Sequence, residues 1–138
     1  MKTDNQSLAG VTYQCMDVRL KTNLLTYPQQ YKALVYSINS DCYKFLYSPV
    51  GKVCGYIIWA NLNRESVFRF ERQSIGPTYP YEWIEGDILL VLDIVVEPQF
   101  RLDVLPELRR FIRCNKHKLF KRGNKFFAHL RVDEKKAG

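Results

Sequence analysis

The sequence predicts an α/β (α+β) fold, a mixed sheet flanked by helices, and three observations lead there. The apolar run from Ile88 to Val96 is hydrophobic on both faces, as a strand buried at the centre of a sheet requires. Residues 42–47 and 53–60 are strand-like and flank the turn signal Ser48-Pro49-Val50-Gly51, the pattern of a hairpin. The stretches around them carry apolar residues at helical spacing.

The elements follow in order. Residues 8–18 mix apolar and polar positions as a first helix does, and residues 19–27 read as a loop closed by Pro28. Tyr31, Leu34, Val35 and Ile38 then recur at helical spacing until Asn39-Ser40-Asp41 ends the helix. After the hairpin, residues 66–71 fit a short strand or a helix equally well, and residues 76–80 form a Gly- and Pro-rich loop. Glu97-Pro98 stops the central strand. Asp103 is placed to cap a further helix, with Pro106 in its first turn and Glu107 favouring its N-terminus. Leu105, Leu108, Phe111, Ile112 and Leu119 line one side of that helix, Gly123-Asn124 stops it, and residues 125–132 make a last strand. A chain of 138 residues with no repeat and no low-complexity linker is expected to be one domain, residues 1–138.

Composition narrows the functional classes. Hydrophobic content of 46% and aromatic content of 14% exclude general disorder. Met1-Lys2 leads into a polar stretch without an apolar core behind it, so no signal peptide is expected. The apolar run 88–96 is too short to span a membrane, and a cytoplasmic protein is the expectation. Cys15, Cys42, Cys54 and Cys114 show no CxxC spacing, and neither His117 nor His129 sits in a ligand pattern, so no metal or other cofactor is expected.

Charge is unevenly spread. Residues 1–100 hold 9 Lys and Arg against 10 Asp and Glu, whereas residues 101–138 hold 12 against 4. The excess is densest along Arg109, Arg110, Arg113, Lys116, Lys118, Lys121 and Arg122, with Lys125 just beyond. Such a surface attracts an acidic protein, a nucleic acid or an anionic membrane, and the plain alternative is a solvated helix face. The aromatics that would stack on bases fall mostly in predicted core strands, which argues against nucleic acid. A homodimer stays open as a further assembly.

Asp93 is the most informative residue. It interrupts the most apolar strand, where an unpaired carboxylate costs several kcal/mol, so it must be paired, protonated or reached by solvent. It is either a structural carboxylate held by an Arg or by backbone amides, or an active-site group that orients or accepts a proton. The junction after the strand, Glu97-Pro98-Gln99-Phe100-Arg101-Leu102-Asp103, contains no glycine, which disfavours the close backbone approach of a coenzyme A pyrophosphate.

Three ordered motifs carry a family resemblance. Gly55-Tyr56-Ile57-Ile58-Trp59-Ala60-Asn61-Leu62 resembles the "Y-x-x-W-A-N-L" strand of the RTX toxin-activating lysine acyltransferases, the hemolysin-activating family. Glu82-Trp83-Ile84-Glu85-Gly86-Asp87 resembles that family's "D-W-x-x-G-D", followed by a strand bearing an aspartate, here Leu92-Asp93-Ile94. Phe127-Ala128-His129-Leu130-Arg131-Val132-Asp133 resembles its "F-x-A-I-R-V-D". Together the matches cover roughly residues 50–135.

The resemblance implies an acetyltransferase-like (GNAT-like) fold without the coenzyme A loop. It also implies transfer of a fatty acyl group from acyl carrier protein, an acidic partner, to internal lysines of an RTX-type protoxin. The family's catalytic pair is a histidine and the strand aspartate, the latter matched by Asp93. The family's "P-L-H-R-N" aligns best with Arg19-Leu20-Lys21-Thr22-Asn23, placing Lys21 at the histidine position, or Asn23 with a shift of two. Lysine acts as a base only where burial lowers its pKa. Three outcomes stay open: an enzyme using Lys21, another base such as His129, or a catalytically inactive relative that keeps the fold and docks an acidic protein or nucleic acid. Arg131 and Asp133 suit a structural pair.

Overall fold

The structure, a computed structural model, describes residues 7–73, 77, 79–114, 117–122 and 125–130. Helix α1 spans Leu8–Lys21 and opens on Ser7, whose Oγ accepts the Gly10 N–H at 3.0 Å. Helix α2, Pro28–Asn39, has Pro28 in its first turn, and Gln30 Oε1 accepts the Tyr27 N–H at 2.9 Å. The chain leaves α2 through Asp41 in the left-handed region, φ 62°.

Strand β1, Tyr43–Tyr47, and strand β2, Val53–Leu62, form the expected antiparallel hairpin. Its turn needs Gly51 at φ 87°, and the Ser48 N–H donates to the Lys52 carbonyl. The ambiguous stretch is helical: α3 spans Arg64–Gln73. Asn63 decides it, since its Oδ1 accepts the Ser66 N–H at 2.8 Å as a cap and Val67 is buried beneath. A 3-10 turn at Pro80–Trp83 leads to β3, Ile88–Val96.

The next region corrects the sequence reading. A 3-10 turn at Pro98–Phe100 runs directly into α4, Arg101–Arg113, so Asp103 lies within the first turn rather than at its cap and Pro106 lies inside the helix. The helix does not continue to Gly123. Residues His117–Arg122 form strand β4, and Lys125–Leu130 form β5. Sheet pairing overrides helical spacing here: Ile88, Leu89 and Leu90 run parallel beside His117, Lys118 and Leu119, and β5 pairs along the other edge of β4. Residues 131 and 132, the end of the expected last strand, lie outside the described residues, as do residues 76 and 78 of the 76–80 loop.

The sheet order is β1-β2-β3-β4-β5, with every neighbour antiparallel except β3 and β4. This is a mixed α/β arrangement in which α4 forms the crossover between the two parallel strands. Helices α1 and α2 cover one face, packing Val11, Cys15, Val18, Leu34 and Ile38 on Tyr56, Ile58 and Val95. Helix α4 covers the other, bringing Val104, Leu108 and Phe111 to Leu46, Cys54, Ile57, Leu89 and Val91. No helix among the described residues is long and apolar enough to cross a membrane.

Cysteine chemistry follows from this packing. Cys15, Cys42 and Cys54 are buried, and burial pushes the Cys15 thiol up to about 12 and the Cys42 thiol up to about 11. Cys114 is exposed beyond α4. A thiol reagent at neutral pH is therefore expected to modify Cys114 rapidly in the native protein and to reach the other three only on unfolding. Intact mass against time reads this directly; a second thiol modified as fast as Cys114 would contradict the packing.

Candidate functional site

A bulge in β3 aims Asp93. Ile58 of β2 faces Asp93 and the next residue, Trp59, faces Val91, so Leu92 is an extra residue without a partner in the ladder. Ile88, Leu90 and Leu92 pack toward the core that includes α2, and Val95 packs beside α1 and α2. The extra residue therefore shifts the alternation and puts Leu92 and Asp93 on the same face. Without it, Asp93 would point into the apolar layer under α4.

On the α1 side Asp93 meets Arg19. Arg19 continues the buried stripe of α1, Val11 and Cys15 at four-residue steps, and is itself buried. One terminal nitrogen of its guanidinium donates to Asp93 Oδ2 at 2.8 Å and to the Tyr56 hydroxyl at 3.2 Å. Nε donates to Thr26 Oγ1 at 2.7 Å, and the other terminal nitrogen to the Leu25 carbonyl at 2.7 Å and Gln30 Oε1 at 3.4 Å. Five donors meet five acceptors, the full capacity of the group.

The two charges are unequally placed: the Arg19 side chain is 5% exposed, that of Asp93 35%. Burial raises the Asp93 carboxyl above its ordinary value, while Arg19 and the Ile94 N–H pull it back without cancelling the rise. Burial works against the charge of Arg19, but the Tyr56 hydroxyl and Asp93 outweigh it and the guanidinium stays protonated. Tyr56 is likewise raised by burial and remains a phenol.

Lys21 is not brought to Asp93. It stands on the solvent side of α1, two residues past Arg19, and its Nζ pairs with Asp17 Oδ2 at 3.1 Å. Asp17 raises the pKa of Lys21, the opposite of what a general base needs. The sequence reading put Arg19 at the head of a loop and gave it no role, whereas α1 runs on to Lys21 and carries Arg19 on its buried side. The signal was present: an arginine extending an apolar i, i+4 stripe, and a lone aspartate in an apolar strand.

An apolar groove of about 530 Å³ begins at the residue after Asp93 in β3, and Asp93 itself does not line it. Ile94, Val95 and Val96 of β3 form its floor, Leu102, Val104, Leu105 and Leu108 of α4 one wall, and Thr22 and Leu24 the other. Arg101 stands among the lining residues. Pairing of β3 with β4 ends at Leu90 among the described residues, so the sheet is not continued past the bulge on that side.

The other motif residues build the frame. The Trp83 ring is buried, its Nε1–H donates to Ser37 Oγ at 2.8 Å, and it meets Tyr36 edge-on at 5.2 Å. Glu82, also buried, accepts from Arg69 at 3.1 Å and from the Tyr79 N–H at 3.0 Å. The Gly86 N–H donates to the Asn61 carbonyl, and a Cβ at Gly86 would overlap the Leu62 backbone. Trp59 packs on Phe111 at 4.7 Å, and Asn61 Nδ2 lies 3.6 Å from Cys42 Sγ.

Of the basic set, Arg109, Arg110 and Arg113 are exposed on α4, with Arg110 also reaching Glu107 at 3.3 Å. Lys118, Lys121 and Arg122 lie along β4 rather than on a helix, and Lys116 lies outside the described residues. His129 sits on β5 opposite Lys118. Arg131 and Asp133 lie outside the described residues. The basic residues thus divide between a helix and a strand instead of sharing one helix face. No group of three His, Cys, Asp or Glu capable of holding a metal occurs among the described residues. Compared with known proteins, the chain matches no family model and no curated protein sequence.

Proposed function

We propose that this chain is a protein-lysine acyltransferase of the toxin-activating type, built on an acetyltransferase-like sheet. It would take a fatty acyl group from an acyl carrier protein and deliver it to a lysine of a protoxin. The observation that carries this reading is the adjacency of Asp93 to the apolar groove: the three residues after the carboxylate are the groove floor. An aliphatic chain in the groove would lie along the three residues that follow the one carboxylate of β3. Support for the acetyltransferase-like arrangement comes from the parallel β3–β4 pair joined by α4. The exposed arginines of α4 suit an acidic carrier.

In this reading the acceptor lysine amine attacks the thioester carbon. The new C–N bond forms, the C–S bond breaks, and the carrier thiol leaves with a proton. Asp93 accepts the proton that the lysine ammonium must lose, a role helped by burial, which makes it more basic than an ordinary aspartate. Arg19 remains a cation throughout and fixes the carboxylate.

The test is incubation with a series of acyl-acyl carrier proteins, scored by intact mass of carrier and protein. Loss of acyl groups from the carrier is expected, and Asp93→Asn should slow it by about 100-fold or more, the range of a general base. Unchanged turnover in Asp93→Asn would remove Asp93 from the chemistry. One observation favours a second reading, a non-catalytic carrier-binding relative: Arg19 stands against Asp93 where the family resemblance implies a histidine. A salt-sensitive complex with no acyl loss would establish that reading instead.

A further inference from the structure

The two sides of the groove are held in different ways. Floor and α4 wall belong to β3 and α4 and are packed into the sheet, whereas Thr22 and Leu24 belong to the segment joining α1 to α2. That segment has little packing of its own: Leu24, Leu25 and Tyr27 are all exposed, Leu25 by 72%. Asn23 turns it through the left-handed region at φ 61°. Among the described residues, Leu25 and Thr26 hydrogen-bond to Arg19 alone, through the Leu25 carbonyl and Thr26 Oγ1, both at 2.7 Å. The Leu24 N–H also returns to the Arg19 carbonyl at 3.0 Å.

We propose that Arg19 is the positioning residue of the groove. Its guanidinium, fixed to β3 through Asp93 and to β2 through Tyr56, holds the 22–26 segment opposite α4 and so sets the groove's width and the chain it accepts. The rigid fork matters, because a lysine at this position would reach one or two of the five acceptors. The proposal rests on the reading of the groove as an acyl-chain site, and the experiment separates the two.

Thr26→Val cuts the Nε contact at nearly constant shape and leaves the Asp93 pair in place; Thr26→Ser keeps it. Each variant and the parent would be titrated with saturated fatty acids from octanoate to stearate. Amide hydrogen exchange of Leu24, whose N–H donates to the Arg19 carbonyl, would be followed alongside. The parent should prefer one chain length. Thr26→Val should bind that chain about tenfold more weakly, with a flattened length preference and faster exchange at Leu24, while global unfolding shifts little. Thr26→Ser should restore the parent profile. A Thr26→Val protein with parental length preference and parental exchange overturns the proposal. If the parent binds no fatty acid, the acyl reading of the groove fails. Exchange then decides the positioning role by itself: faster at Leu24 in Thr26→Val upholds it, unchanged overturns it.

Discussion

Arg19→Met is expected to lower the unfolding free energy by about 3 kcal/mol, the lower end of the range for removing one partner of a buried ion pair. The full penalty applies to a carboxylate left without any solvation. Asp93 keeps part of its side chain open to water, so it recovers some hydration once Arg19 is gone. The variant also frees the Leu25 carbonyl, Thr26 and Gln30, which face solvent closely enough to rehydrate. Methionine fills the aliphatic path of the arginine, so the loss reports on charge and hydrogen bonding rather than on a cavity. Urea unfolding measures it. A loss under about 0.5 kcal/mol, the scale of a surface substitution, would mean that the pair is not a determinant of the fold.

The second large effect is expected at Trp83. Trp83→Ala should cost about 3–5 kcal/mol, the usual range for emptying a large aromatic site in a core. The ring closes the core that joins α2, the 3-10 turn and β2, with Ala60, Leu62, Ile88 and Leu90 around it. It also satisfies the buried Ser37 hydroxyl, which loses its donor in the variant. Trp83→Phe should cost less, because it retains most of the volume and loses mainly the hydrogen bond. A Trp83→Ala protein as stable as the parent would show that this motif does not hold the frame.

The legible parts of the sequence were those in which one local signal dominated. The hairpin announced itself through Gly51 and its flanking strands, the central strand through nine residues with a single polar interruption, and α2 through its spacing and Pro28. The illegible parts depend on partners far away in the chain. His117–Arg122 has the charge pattern of a helix face and becomes a strand because Ile88–Leu90 offer it an edge. Residues 66–71 fit two periods until Asn63 caps a helix.

The site divides in the same way. That Asp93 needs a partner or solvent follows from the apolar run around it. Which face of the sheet it meets depends on the Leu92 bulge, and a bulge leaves no mark in apolar spacing. Lys21 was the residue the motif alignment favoured, but a shift of two residues along a helix rotates a side chain by roughly 200°, from the buried stripe to the solvent side. Arg19 is on that stripe and Lys21 is not.

Arg19 and Asp93 act as one unit across the sheet and α1. A double-mutant cycle with Arg19→Met, Asp93→Asn and the two combined, read by urea unfolding, tests it most directly. A coupling of about 2–3 kcal/mol is expected, with the double variant more stable than the sum of the single losses implies. Losses that add to within about 0.5 kcal/mol would contradict it, leaving Asp93 and Arg19 as independent neighbours.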